Sequence, residues 1–195
     1  MRGPAKRILI LNGNPDPAPE RLSSALANAY ADGAIRSGHD VRRIDVGSAS
    51  FSFLRKAAAF TAAPQDPDIA AAQAGFLWAE HLVFIFPLWL GGPPSLLKAF
   101  MEALACGEFM IGEGKHFPTG KLKGRSARLV VTMGMPSLAY RLLFGAYGIK
   151  AFRKSILSIA GVAPIRTTLI GSIGASAAQT ARLLTRLHQL GAQAS

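Results

Sequence analysis

Cysteine is nearly missing from this sequence: Cys106 is the only one in 195 residues. No internal disulfide framework can form, and such usage fits a reducing compartment, so a cytoplasmic location is expected. Long apolar runs are missing too. None approaches the ~20 residues that span a bilayer, and no integral membrane segment is expected. The opening Met1-Arg2-Gly3-Pro4-Ala5-Lys6-Arg7 leads straight into a short strand-like run, without the apolar region and cleavage site of a secretory signal. His39, His81, His116 and His188 stand apart, with no HxxxH or CxxC spacing, which argues against a metal site. Acidic residues are scarce: 11 Asp and Glu face 22 Lys and Arg, a net charge of +11. Yet the basic residues fall in ones and twos, and no basic helix carries interleaved aromatics, so nucleic acid is not an expected partner. The excess fits solubility with some attraction for anions.

Several motifs are absent. Only Gly13 stands where a dinucleotide-binding fingerprint needs three spaced glycines, and no GxxxxGK[ST] occurs. No serine sits in a GxSxG elbow. Asp16, Asp40 and Asp45 do not make the acidic cluster of a phosphorylated receiver.

What is present is apolar. Half the residues are hydrophobic and 17% are charged, enough to build a large core in one domain over 1–195. The chain is organised around 82–104. Leu82-Val83-Phe84-Ile85-Phe86 is an unbroken apolar run, as in a parallel strand covered on both faces. Pro87 stops it. Leu88-Trp89-Leu90-Gly91-Gly92-Pro93-Pro94 makes a tight loop, Pro94 suits a first helical turn, and Leu96, Leu97, Phe100, Met101 and Leu104 follow at helical spacing.

The flanks repeat this alternation. Lys6–Asn12 predicts a first strand, and a polar loop to Leu22 leads to a helix capped by Ser23 or Ser24 and stopped at Gly38. Strands are also expected over 41–46, 127–132 and 164–170. Helices are expected over 68–79, over 140–160 with breaks near Gly145 and Gly148, and over 175–190. Residues 51–67 read as irregular with a short helical piece, and 106–124 as a loop or insertion. Five strands alternating with helices predict an open, doubly wound parallel sheet.

In such a sheet, ligands sit beyond the carboxyl ends of the strands. Three loops qualify: 12–22, 87–94 and 132–140. The first leads into a helix N-terminus beside Arg21, Ser23 and Ser24, where free N–H groups and hydroxyls suit a phosphate, or it is an ordinary capped turn. Trp89 is a core aromatic or, in a loop of Gly and Pro, a ligand face. Gly134 is a turn glycine or a surface for a flat ring. Tyr140 offers a phenol that donates a proton, or is a half-buried helix residue. His116 lies within reach of a substrate only if the insertion folds inward, and Cys106 reads as packing.

Phe86-Pro87-Leu88-Trp89, Gly92-Pro93-Pro94 and Leu97-Lys98-Ala99-Phe100 together resemble the FPLWW…GxPxxLKx(W/F) signature of the NAD(P)H:quinone oxidoreductase family. Asn14-Pro15 through Leu22-Ser23-Ser24-Ala25-Leu26 is similar to that family's first flavin loop. Thr132-Met133-Gly134 through Tyr140 resembles its TTGG…Y loop, and 152–161 its later helix. The resemblance implies a flavodoxin-like three-layer α/β sandwich with a five-stranded parallel sheet. It implies a homodimeric flavoenzyme, carrying FAD or alternatively FMN, that takes electrons from NAD(P)H and gives them to a small quinone-like acceptor. Residue by residue it puts the flavin phosphate side at Asn14, Arg21, Leu22 and Ser23. The ring falls at Pro87, Leu88, Trp89, Leu90, Thr132, Met133 and Gly134, with Tyr140 as the catalytic phenol. Met133-Gly134-Met135 replaces Thr-Gly-Gly, and Arg21-Leu22 replaces Ser-Phe. Two other readings stay open: a non-catalytic flavin-binding electron carrier or regulatory subunit, and a module that keeps the fold without flavin.

Overall fold

The five expected strands all form, and they pair into one sheet in which every pair is parallel. The computed structural model describes residues 4–112, 119–174 and 176–194. The strands of this sheet are β1 (Arg7–Asn12), β2 (Asp40–Asp45), β3 (His81–Pro87), β6 (Ser126–Thr132) and β7 (Ile165–Ile170), in the spatial order β2-β1-β3-β6-β7. A two-residue antiparallel pair, β4 (Ile111–Gly112) with β5 (Thr119–Gly120), lies within the segment read as a loop or insertion. His116 lies outside the described residues.

The central strand is apolar because both its faces are covered. From His81 to Phe86 every residue of β3 is buried. Side chains alternate between two cores, as a pleat requires. Leu82, Phe84 and Phe86 face one side, with α3 (Pro67–Trp78), α4 (Ser95–Leu104) and Phe152 and Leu157 of a later helix. Val83 and Ile85 face the other, with α1 (Leu22–Arg36) and α7 (Ala177–Ala192). These are the three layers expected. Phe84 packs edge-on to Phe152 at 5.5 Å between ring centres and touches Phe76 at 6.2 Å. Each such buried aromatic contributes roughly 1.5–3 kcal/mol through burial.

Helix boundaries differ from the expectation in two places. Pro94 is the residue before α4 rather than part of its first turn. The 140–160 stretch is broken once, not twice. α5 (Ser137–Leu143) ends, Ala146 takes φ +51°, and a second helix runs from α6 (Tyr147–Ala151) into a π-helical stretch at Phe152–Ser158. Gly148 lies inside α6, with no break there. α2 (Ala57–Thr61) is the short helical piece expected between 51 and 67.

Candidate functional site

The chain reverses direction across the sheet between β1 and β3, the strands on either side of the first crossover. A crevice opens at such a switch point, beyond the carboxyl ends of the strands. Three hydrogen bonds carry the ladder past the strand ends and draw the three loops together. Gly13 N–H donates to Ile85 O at 2.8 Å, Leu88 N–H to Thr132 O at 2.7 Å, and Met133 N–H to Ile170 O at 2.8 Å. The loops at 12–22, 87–94 and 132–140 therefore meet at one edge, as the strand order demanded.

The β1–α1 loop is tied by its own side chains. Buried Asn12 donates from Nδ2 to Asp45 Oδ1 at 2.9 Å and to Ser24 Oγ at 3.3 Å. Asn14 Nδ2 donates to Ser23 Oγ at 2.9 Å. Neither serine caps α1. Arg21 is the N-cap residue and no side chain caps the helix. The serines are the second and third residues of the helix, inside its first turn, buried, with their hydroxyls committed to the loop. As a result the amide N–H groups of Leu22, Ser23 and Ser24 have no acceptor among the described residues, while Ala25 N–H begins the helical pattern on Arg21 O. Unpaired first-turn amides on a 15-residue helix make a positive end that suits a phosphate. Arg21 stands beside them, exposed and paired with Asp16 at 2.5 Å. The Ala18 N–H, ahead of the Arg21 guanidinium, holds the Asp16 carboxyl below the usual carboxylate range.

The β3–α4 loop carries a tight turn. Trp89 N–H donates to Gly92 O at 2.9 Å and Gly92 N–H to Trp89 O at 3.0 Å. Both central residues have positive φ, Leu90 at +46° and Gly91 at +84°. That is the hairpin geometry in which glycine is at ease and leucine is strained. Trp89 is 50% exposed and Leu90 wholly so. The Trp89 N–H is used inside the turn, whereas those of Leu90 and Gly91 have no acceptor among the described residues. Pro87 and Leu88 are half-buried at the strand end.

The third loop leaves β6 at Thr132, which is buried. The Met133 side chain points into the core, so only its backbone belongs to the loop surface. Gly134 is exposed, and a methyl group added there would meet no atom within 4 Å. Its N–H has no acceptor among the described residues. Open backbone of this kind is what a flat ring needs in order to lie close.

Tyr140 is not at the surface of this crevice. It is 1% exposed, and its hydroxyl donates to Gly91 O at 2.8 Å. Burial pushes the phenol above its ordinary range, partly offset by the Ile149 N–H. The expected proton donor is thus turned inward, onto the back of the Trp89–Gly92 turn. Gly148 backs onto the same turn: a Cβ there would stand 2.1 Å from Gly91 O, so only glycine fits. The phenol that faces solvent nearby is Tyr147, 74% exposed, with the Lys150 ammonium 5.3 Å from its ring centre. Sequence reasoning passed over it. Next to it, Trp89, Leu90 and Lys98 line a cavity of about 570 Å³ with Gly148, Phe152 and Ile156.

The remaining candidates fall away from the crevice. Cys106 is a free thiol, 4% exposed, and burial pushes its pKa up, as a packing residue requires. His81 is buried at the opposite end of β3, hydrogen-bonded through Nδ1 to Ser126 Oγ at 2.7 Å. No group of three or more metal-ligating side chains occurs among the described residues.

Strand order, crevice and phosphate-suited helix end together define a flavodoxin-like α/β protein. The chain belongs to the Flavodoxin_2 family, described as having a flavodoxin-like fold, whose model matches residues 6–193. It is 25% identical over 155 residues to the ribosyldihydronicotinamide dehydrogenase-like protein traD of Penicillium crustosum, covering 66% of this chain and 57% of that protein. It is 40% identical over 55 residues to FMN-dependent NADH:quinone oxidoreductase 2 of Listeria innocua, 28% of this chain and 26% of that protein. The matched regions thus span between a quarter and somewhat over half of these relatives. In architecture it is similar to the NAD(P)H:quinone oxidoreductase from Methanothermobacter marburgensis, with a TM-score of 0.80 at 18% identity, over 98% of this chain and all of that one. At that identity the likeness speaks for the fold alone.

Proposed function

We propose that this chain is a flavin-dependent oxidoreductase that takes a hydride from NAD(P)H and delivers two electrons to a quinone-like acceptor. The observation that carries the reading is the donor set at one sheet edge. Unpaired amides of Leu22, Ser23 and Ser24 face a phosphate position, and those of Leu90, Gly91 and Gly134 border open backbone. A phosphate-bearing flat ring system satisfies both. The names of the relatives point the same way.

Leu22 and Ser23 would hold the phosphate by their amides. Asn14 fixes the Ser23 side chain, and Arg21 turns from Asp16 to the added negative charge. Pro87, Leu88, Trp89 and Leu90 would border the ring on one side, and Thr132, Met133 and Gly134 on the other. FMN is favoured over FAD by the FMN-dependent name among the relatives. A bound flavin supplies the two-electron redox chemistry. The protein contributes position and fixed dipoles: N–H groups of Leu90, Gly91 and Gly134 stabilise negative charge on the reduced ring without reorganising. Overall, NAD(P)H, a proton and the quinone give NAD(P)⁺ and the hydroquinone. Tyr147, exposed beside the turn, is the phenol positioned to donate a hydrogen bond to the acceptor oxygen, while Tyr140 holds the turn. The whole chain, 1–195, acts as one flavin-binding domain. A homodimer built on the exposed Phe53 and Phe60 of the 51–60 segment, and a cytoplasmic location consistent with the free thiol of Cys106, belong to the same proposal.

Titrating flavin-stripped protein with FMN tests the site. Stoichiometric quenching of flavin fluorescence, lost in a Gly134→Val variant, supports it. Protein that neither quenches nor retains flavin would refute it.

A further inference from the structure

The charge of this chain is divided unevenly. Residues 114–195 contain twelve of the 22 Lys and Arg and none of the 11 Asp and Glu. The strands β6 and β7 therefore bring Arg128 and Arg166 into the sheet with no carboxylate of their own. Both sit near the amino ends of their strands, paired in register with each other, and His81 stands opposite Ser126 one strand further in. At this amino edge Lys6, His81, Ser126, Pro164, Arg166 and Ala194 line a cavity of about 320 Å³. It lies a strand length, about 20 Å, from the carboxyl-edge crevice, and the chemistry proposed there uses none of its residues.

His81 is 2% exposed, and only one of its ring nitrogens is satisfied. Nδ1 is 2.7 Å from Ser126 Oγ, whereas Nε2, buried with it, has no hydrogen-bond partner among the described residues. A buried polar atom left unpaired is costly, and a bound acceptor would recover that cost. The cations beside it lack counter-charges. Neither Lys6 nor Arg166 makes an ion pair among the described residues, and no acidic side chain among them lines the cavity. Glu80, next to His81 in sequence, is engaged with Arg7. The positive field registers on His81 itself: burial first, then the charges of Lys6, Arg128, Arg166 and His39, hold its pKa down at about 3. The neutral ring still donates from Nε2 when the Ser126 hydroxyl donates to Nδ1. Lys6 Nζ spends one donor on Ala194 O at 3.2 Å and keeps the others. Arg166 is exposed, with no hydrogen bond from its guanidinium among the described residues.

We propose that this amino-edge cavity binds a doubly charged oxyanion, either free phosphate or the phosphoryl end of a larger metabolite. His81 Nε2–H, the Lys6 ammonium and the Arg166 guanidinium supply the hydrogen bonds, two of them charge-assisted. A metal cation is repelled by the same charges. An apolar ligand would leave Nε2 and the cations as they are. At about 320 Å³ the cavity holds more than a bare phosphate, so a short carbon chain or sugar fits behind the phosphoryl group. The site is separate from the phosphate position at the start of α1, and it does not rest on the oxidoreductase reading.

Imidazole NMR spectra of the isotope-labelled full chain test it, with the His81 signals assigned by their loss in His81→Asn. Sodium sulfate, whose charge is fixed near neutral pH, is titrated against sodium chloride at matched ionic strength. Sulfate should shift the His81 ring signals saturably and raise the melting temperature, and chloride should do neither. A Lys6→Gln/Arg166→Gln variant should bind sulfate at least about tenfold more weakly. Arg21→Gln, which alters the phosphate position at α1, should leave the His81 shift as in wild type. Unaltered melting temperatures in chloride would show that both variants fold. If sulfate leaves the His81 signals unmoved, or the shift survives in the Lys6→Gln/Arg166→Gln variant, the proposal fails. It fails equally if Arg21→Gln abolishes the shift, because the anion then sits at α1. Tighter binding of glycerol phosphate than of inorganic phosphate identifies the ligand as a phosphoryl end, and equal or weaker binding identifies the free ion.

Discussion

The Tyr140 hydroxyl and the Gly91 carbonyl, 49 residues apart in sequence, are joined by a 2.8 Å hydrogen bond that ties α5 to the turn bordering the proposed ring site. On the proposed reading, the bond gives Tyr140 a positioning role. Tyr140→Phe keeps the packed ring and removes only the bond, at a cost of about 1 kcal/mol. Flavin dissociation constants should rise by roughly three- to tenfold, with kcat at saturating flavin nearly unchanged. A fall in kcat of about 100-fold with unchanged flavin affinity is the signature of a lost proton donor, and would return Tyr140 to that role.

Gly134 separates folding from binding. Space is open where its side chain would be. Gly134→Val should therefore melt within about 0.5 kcal/mol of wild type, as surface changes do, yet lose bound flavin. A variant that keeps its flavin would show that the ring lies elsewhere.

Leu90 is in the wrong conformation for its type. A left-handed non-glycine residue costs roughly 1–2 kcal/mol, and asparagine tolerates the region far better. Since the Leu90 side chain is wholly exposed, nothing is lost from the core. Leu90→Asn should raise stability by about 0.5–1 kcal/mol in urea denaturation. Destabilisation would mean that the side chain packs against something in solution.

His81 predicts a pH dependence. Its pKa is pushed down to about 3, first by burial and then by the charges of Lys6, Arg128 and Arg166. Unfolding returns it to the ordinary value of 6.5. Between those values the unfolded chain holds a proton that the folded chain does not, so stability falls as pH drops from 6.5 towards 3. The effect reaches the order of a few kcal/mol. In His81→Asn, which keeps a partner for Ser126, the slope of unfolding free energy against pH should flatten across this window. An unchanged slope would locate the proton uptake elsewhere.

Much of this was legible in the chain because it depends on local pattern. The unbroken run from Leu82 to Phe86 pointed to a doubly covered strand, and the strand runs from His81 to Pro87. Gly38, with φ +87°, ends α1 as its position suggested. Features that depend on side-chain reach were not legible. Ser23 and Ser24 look like caps, but Asn14 and Asn12 draw their hydroxyls into the loop and leave the helix amides free. Tyr140 and Tyr147 are seven residues apart and would share a face of one continuous helix. The break at 144–146, with Ala146 at φ +51°, turns one into the core and the other to solvent. Nothing in the spacing indicated which tyrosine would be which.

The most direct test is the absorbance spectrum of the purified protein, before and after anaerobic addition of one equivalent of NADPH. A yellow protein that bleaches in a single two-electron step, and recovers when a small quinone is added, is the expected result. A flavin that stays oxidised in the presence of NADPH would contradict the oxidoreductase reading and leave a carrier. A protein that stays colourless after incubation with FMN and FAD would contradict the flavin site itself.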